Sequence, residues 1–313
     1  MAKFELFYIN LDSAPERRET LEASYAKAGF SDNWTLNRFA AYSKDSPEVL
    51  SNAGKQNGPY KGNFASHYDC LKSQLNSDAH TMICEDDCDF APGCGDYIEQ
   101  MIDNLPPDKW DILLTEVTFL SAFELPVFLK MKEQECKKRL HLIKLGQLEY
   151  AFTGSTSYIV NKASRHKVME VFADQRAVID FPFDICLRAA VYHEQLQGLL
   201  VFPFITAPSR HADFTQAPFL SLTGSAQAVH QFHMEAMNCS RRMLSIHYDP
   251  ANAISPQILA ACEQYEYDQE EKVARNVIYW MQLMQQKSYY KEFLHVPVVD
   301  FGLDLPPSAT DRD

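Results

Sequence analysis

Three features of this sequence predict an α/β fold, a parallel sheet covered by helices. The chain opens strand, helix, strand, the unit from which such sheets are built. Its apolar runs then alternate with helical stretches to roughly residue 205. One of those runs, Thr81 to Cys84, stops abruptly at Glu85-Asp86-Asp87, with Asp89 two residues further on. Four carboxylates in five residues cannot lie in a core without partners. They suit a strand whose carboxyl end opens into a cleft, the edge at which open α/β sheets bind ligands.

The elements follow in order. Residues 4–10 are aromatic and aliphatic enough for a strand. Asp12 or Ser13 can cap a helix over 15–28, in which Leu21, Tyr25 and Ala28 recur at helical spacing and which Gly29 ends. Residues 34–40 form the second strand. Residues 43–60, rich in Ser, Asn, Gly, Lys and Pro, predict an exposed, mobile loop. A helix over 62–75, the acidic strand and a helix over 92–105 come next. Residues 110–116 read as a strand ending in Glu116. Residues 117–137 suit a hairpin or a loop excursion, and 140–145 a strand. Residues 151–160 read as a strand with a turn at Gly154, followed by a helix over 162–172. A loop from Asp180 leads into a helix ending near 190, and 199–205 is a last buried strand.

The character changes near residue 218. The sequence divides into an α/β domain over 1–217, a helical extension over 218–296 and a tail over 297–313, extended or disordered, with three prolines and a polar end.

Composition narrows the function. The chain has 313 residues, 46% apolar and 23% charged, an ordinary globular balance. A net charge of −13 argues against nucleic acid as a partner and against a polybasic membrane patch. No apolar run approaches the length of a transmembrane segment. Phe4 to Asn10 already reads as a structural strand, so no targeting leader is expected. The eight cysteines are scattered and mostly in apolar contexts. They predict reduced core thiols and a cytoplasmic protein.

The acidic stretch carries the chemistry. Two acids separated by one residue can face one side of a short loop and hold a hard cation, Mn²⁺ or Mg²⁺. Glu85 and Asp87 make one such pair and Asp87 and Asp89 a second, so Asp87 is the first-choice ligand. A solvated acidic turn is the plain alternative.

Several segments together resemble glycosyltransferase family 25, which includes lipooligosaccharide and procollagen galactosyltransferases. They are Tyr8-Ile9-Asn10-Leu11-Asp12 followed by Arg17-Arg18, Arg38-Phe39-Ala40-Ala41, and Lys61-Gly62-Asn63-Phe64-Ala65-Ser66-His67 with its Gly-x-x-x-Ser-His pattern. Ile83-Cys84-Glu85-Asp86-Asp87, Trp110 to Leu113, Gly154 to Val160 and Phe181-Pro182-Phe183-Asp184 complete the set.

The resemblance implies a GT-A fold, a Rossmann-like nucleotide-sugar-binding sheet. It implies a UDP-sugar donor carrying galactose or glucose, a saccharide acceptor and an inverting displacement. It makes Asp184 the candidate base, with a helix N-terminal role as its structural alternative. Asp180 and Glu116 are rivals, Glu116 because it lies just past a strand's carboxyl end, where the family does not usually place an acid. Glu85, Asp86, Asn10, Leu11, Arg17, Lys61, Ser66, His67 and Gly154 become candidates for donor contacts. Late histidines complete the metal site in many such enzymes, so His211 joins Glu85, Asp87 and Asp89 as a candidate ligand. A bacterial surface glycan is the expected acceptor, and the helical extension could support a homodimer. A non-catalytic nucleotide-sugar-binding protein and a Mg²⁺-dependent phosphoesterase are the competing readings. The sequence offers no further His/Asp clusters for the two-metal site that a phosphoesterase needs.

Overall fold

The computed structural model describes residues 2–119, 124–134, 139–148, 151–214, 234, 237–247 and 298–299. In chain order its elements are β1 (Phe4–Asn10), α1 (Pro15–Lys27), β2 (Trp34–Ala40), α2 (Pro47–Leu50), α3 (Gly58–Ser73), β3 (His80–Glu85), β4 (Cys88–Phe90) and α4 (Cys94–Asn104). Then come β5 (Ile112–Leu114), β6 (Thr118–Phe119), α5 (Glu124–Gln134), β7 (His141–Lys144), β8 (Phe152–Thr153), β9 (Ser157–Val160), α6 (Arg165–Ala177), α7 (Phe183–Tyr192), β10 (Gly198–Phe202), β11 (Thr206–Pro208) and β12 (Val298–Val299). Residues 237–244 are helical. No helix among the described residues is long and apolar enough to cross a membrane.

The main sheet runs β12-β7-β10-β5-β9-β3-β1-β2. Its strands alternate their side chains between two cores, as the pleat requires. Ile9 and Ile83 face one core with α3, α5, α6 and α7. Leu6, Tyr8, Met82 and Cys84 face the other with α1 and α4. The α/β class is as expected, but the sheet is mixed. β1 is parallel to β2 and β3, and β5 to β10. β9 runs antiparallel between β3 and β5, and β7 antiparallel to β10.

That reversal shapes the cleft. Ser157, the first residue of β9, pairs with Cys84 near the end of β3, and Tyr158 with Leu114 at the end of β5. The segment entering β9, residues 153–156, therefore reaches the edge at which β3 and β5 leave the sheet. A second, two-stranded sheet pairs β11 with β4, Ala207 opposite Asp89, and brings residues 206–209 alongside the acidic stretch.

Two segments differ from expectation. The loop expected over 43–60 contains α2 and the first turn of α3, where the Asn57 side chain accepts the Tyr60 N–H at 3.3 Å. The same stretch is pinned to residues 176–180, with Asn52 Oδ1 accepting N–H groups from Gly54 and Ile179. The excursion expected over 117–137 contains α5, whose Leu125, Phe128 and Leu129 are buried. Pro126 stands in its first turn, where a missing N–H is tolerated. Residues 298–299 of the tail form an edge strand on β7. The helical pattern over 218–296 and any dimer built on it lie outside the described residues, apart from 234 and 237–247.

Candidate active site

The carboxyl ends of β1, β2 and β3 lie side by side, with Asn10 opposite Ala40 and Ile9 opposite Glu85. The acidic row thus turns out of the sheet next to Asn10. Asn10 Nδ2 donates to Asp86 Oδ2 at 2.8 Å and to the Ala14 carbonyl at 2.9 Å, and its Oδ1 accepts from Arg38 Nε at 3.0 Å. Both amide hydrogens and the amide oxygen are committed, so Asn10 orients Asp86 and the loop into α1. Leu11 closes that loop, its carbonyl accepting the Ala14 N–H.

Arg17, on the first turn of α1, faces the row. Its Nε lies 2.9 Å from Asp86 Oδ1 and its Nη2 2.6 Å from Asp87 Oδ2. One guanidinium therefore bridges two adjacent carboxylates. Glu85 looks another way. Its Oε1 accepts from Ser155 Oγ at 3.0 Å and Asn63 Nδ2 at 3.4 Å, and His67 Nε2 lies 3.5 Å away. His67 is fully buried, stacked on Phe183, with Nδ1 3.0 Å from the Tyr158 hydroxyl.

Electrostatics separates the three acids. Burial opposes ionisation of Glu85, but the hydrogen bonds and charge from His67, with Ser155 and Asn63, hold it down to about 2. Asp86 is pushed up to about 6 by burial and by its acidic neighbours Asp87 and Glu85, against Arg17 and Asn10. Asp87 is raised by burial and Glu85, against Arg17 and Arg241. Burial and mutual repulsion thus outweigh the compensation that Asp86 and Asp87 receive.

Glu116 is 2% exposed, just past β5. Arg241 grips it in a two-pronged pair, Nε to Oε2 at 2.7 Å and Nη2 to Oε1. The same Nη2 donates to Thr156 Oγ1 at 2.6 Å. Asp184 opens α7. Its Oδ2 accepts from the Thr153 hydroxyl and, at 3.2 Å, from Gly154 N–H, while Oδ1 accepts the Ile185 N–H at 2.9 Å. Gly154 has φ +107°, a backbone state that L side chains rarely adopt. Four consecutive residues, Thr153 to Thr156, therefore hold Asp184, Glu85 and, through Arg241, Glu116.

The other candidates are dispersed. Asp180 accepts the Lys55 N–H at 2.8 Å, and Lys61 Nζ donates to the Asn52 carbonyl at 2.6 Å. Both secure the 52–57 stretch. Ser66 donates to the Gly62 carbonyl at 2.7 Å and accepts the Tyr42 N–H at 2.9 Å. A Cβ on Gly62 would come within 2.3 Å of the Tyr42 carbonyl oxygen. The Gly-x-x-x-Ser spacing thus seats one face of α3 against residue 42. Asp89 accepts from Ser24 Oγ at 2.5 Å, with His247 Nε2 3.6 Å away. Ser24 lies two turns along α1 from Arg17, roughly 10 Å, so Asp89 and Asp87 are held at different points. His211 Nε2 lies 3.0 Å from Thr20 Oγ1.

No group of three His, Cys, Asp or Glu among the described residues is arranged to hold a metal ion. The pair that best fits a hard cation is Asp86 with Asp87. They are adjacent oxygen donors already gathered round one positive group, and both retain raised proton affinity. Sequence reasoning missed Arg241, Thr156 and Asn63. Asn63 lies inside the Gly-x-x-x-Ser-His segment and was within reach. An arginine on a later helix carries no such signal.

The family model for glycosyltransferase family 25 (LPS biosynthesis protein) matches residues 4–187. No curated protein matches the chain. Among solved structures, the chain is similar to the glycosyltransferase GlyE of Streptococcus pneumoniae TIGR4, at 10% identity and a TM-score of 0.35, over 91% of this chain and 63% of that one. It thus spans less than two thirds of that protein. It is similar to the galactosyltransferase LgtC, solved with donor and acceptor sugar analogs, at 12% identity and a TM-score of 0.37, over 92% and 98%. It is also similar to S. aureus TarS 1-349, at 11% identity and a TM-score of 0.36, over 92% and 93%.

Proposed function

This chain belongs to glycosyltransferase family 25, and from that premise we propose that it moves a hexose, galactose or glucose, from a UDP-sugar to a saccharide acceptor with inversion and with a divalent cation. Membership makes it a glycosyltransferase with a sugar donor and an acceptor. One observation supports the finer reading most. At the carboxyl end of β3, Asp86 and Asp87 are gathered round Arg17, and one turn ties their neighbour Glu85 to a second carboxylate centre at Asp184.

The proposed division of labour follows. Asp86 and Asp87 would hold Mn²⁺ or Mg²⁺, which would screen the charge developing on the departing diphosphate. Arg17 lies where a guanidinium can pair with that diphosphate. Asp184 accepts the proton of the attacking hydroxyl. The acceptor oxygen bonds to the anomeric carbon as the bond from that carbon to the phosphate oxygen breaks, in one inverting displacement. The hydrogen bonds from Thr153, Gly154 and Ile185 keep Asp184 oriented. Asn63, His67 and Ser155 keep Glu85 ionised for a donor hydroxyl. We take residues 1–217 as the catalytic domain and a bacterial surface glycan as the acceptor class. The six described cysteines are free thiols, which supports a cytoplasmic setting.

A panel of nucleotide sugars, with and without Mn²⁺, tests the reading. Donor hydrolysis or transfer that is lost in Asp87→Ala is expected. Tight UDP binding without turnover on any acceptor would favour a binding protein. Phosphate release from simple esters without UDP binding would overturn the transferase reading.

A further inference from the structure

Residues 237–247 lie beyond the segment that the family model matches, yet they brace the acidic site from two sides. Arg241 and Arg242 are neighbours on the helix over 237–244. Successive helical residues point about 100° apart, so the two side chains reach different walls.

Arg241 takes the wall formed by Glu116 and residues 153–156. Its fork engages both Glu116 oxygens and the Thr156 hydroxyl, and its Nη1 donates to Asn238 Oδ1 at 3.1 Å. Thr156 in turn accepts the Glu85 N–H through its carbonyl at 2.8 Å, and its neighbour Ser155 donates to the Glu85 carboxylate. Arg242 takes the wall formed by residues 208–209. It is fully buried and donates to the carbonyls of Pro208 at 2.8 Å and Ser209 at 2.7 Å. The Ser209 N–H donates to the Asp87 carbonyl at 2.7 Å. Each arginine is thus one residue removed from an acid of the row.

The brace is itself fastened. Lys132 of α5 donates to the carbonyls of Met243 at 2.7 Å and Ser245 at 2.6 Å. The Phe204 N–H donates to the Leu244 carbonyl, and the Ile246 N–H to the Phe204 carbonyl. Glu116 and both guanidiniums are buried or nearly so, and a buried charge deprived of its partner is costly. The arginines are therefore committed to the walls. Their chemistry fits positioning: a planar fork fixes two groups at once, which a lysine ammonium cannot do in the same geometry.

We propose that Arg241 and Arg242 are positioning residues of the donor site, so that the segment 237–247 is part of the transferase's nucleotide-binding machinery. The proposal rests on the donor reading above. The test uses the full chain, with UDP and UDP-galactose titrated into Arg241→Gln, Arg241→Lys and Thr156→Val. Arg241→Gln should raise the Kd for UDP about ten-fold or more, the scale seen when groups that orient ligands are removed. Arg241→Lys should lie between it and the wild type. Donor KM should rise while acceptor KM holds, a split that general destabilisation would not produce. A folded Arg241→Gln with wild-type UDP affinity overturns the proposal. If Arg241→Gln does not fold, Thr156→Val decides, since it removes only the hydroxyl that Arg241 reaches: a raised Kd supports the brace and an unchanged Kd overturns it. A wild-type chain that binds no nucleotide sugar would instead sink the donor reading. The brace is then read by hydrogen exchange at the Glu85 amide, which Thr156→Val should accelerate and which an unchanged rate would contradict.

Discussion

Arg17 binds Asp86 through Nε at 2.9 Å and, with the other arm of the same guanidinium, reaches Asp87. One arginine thus serves Asp87, the acid expected from the sequence to hold a divalent cation, and Asp86, expected there to contact the donor. The two cations compete for the same oxygens, which gives the first prediction. Arg17→Met leaves two adjacent carboxylates partly buried without their counter-charge. It should cost about 2 kcal/mol, the usual loss for a broken buried pair discounted for partial exposure. Mn²⁺ should then raise the Tm of Arg17→Met by more than that of the wild type. Calorimetric melting with and without Mn²⁺ measures both, and equal shifts in the two proteins would refute a cation site at this pair.

Asp184 accepts three hydrogen bonds in the half-buried mouth of α7. An Asn side chain keeps one acceptor oxygen there but cannot take a proton at neutral pH. As the base, Asp184→Asn should lower kcat by roughly 10²- to 10⁴-fold with donor Kd unchanged. As a helix N-terminal residue alone, it should lose about 1 kcal/mol of stability and keep its turnover. Transfer rates at saturating donor, beside a melting curve, separate the two.

The acidic row was legible because composition breaks sharply there: an apolar run meets three acids with no residue between. The place of the row at the carboxyl end of a sheet strand followed from that break. The direction of β9 was not legible, since a buried strand reads the same way up or down. That direction is what delivers Thr153 to Thr156 to the cleft. The Gly62 and Ser66 pair was visible as a pattern, but its use is packing against Tyr42, which needs the fold to be seen. Arg241 and Arg242 were invisible for a different reason. Paired arginines on a helix usually face water, and only tertiary contacts with Glu116, Pro208 and Ser209 show them turned inward.

His80 lies between the rings of Phe4 and Trp110, and its Nδ1 accepts the Lys162 N–H at 3.3 Å. Burial, with Lys162 and Arg165 nearby, pushes the imidazole down to about 4. The unfolded chain takes up this proton near 6.5, so between about 6.5 and 4 it holds more protons than the folded one. The contribution to stability is complete above that window and is lost as pH falls through it, by about 3 kcal/mol at most. Asp86, pushed up to about 6, works in the opposite sense, but equally in any variant at position 80. His80→Phe should therefore flatten the fall in stability between pH 6.5 and 4 relative to wild type. Urea midpoints across that range would show it, and an unchanged slope would contradict the assignment.

Gly154 is the hinge of the turn that holds Asp184 and Glu85. At φ +107° an alanine is strained, and its Cβ would sit 3.4 Å from the Thr118 N–H nitrogen. The conformation alone should cost about 1–3 kcal/mol. Relief of that strain moves Gly154 N–H away from Asp184 and, one residue on, the Ser155 hydroxyl away from Glu85. Gly154→Ala should thus lower kcat and weaken UDP binding together, whereas a change confined to Asp184 should affect kcat alone. Titration and turnover of the folded variant at 20 °C measure both. A variant that is destabilised but keeps wild-type Kd and kcat would show that the turn supports the fold without setting the site.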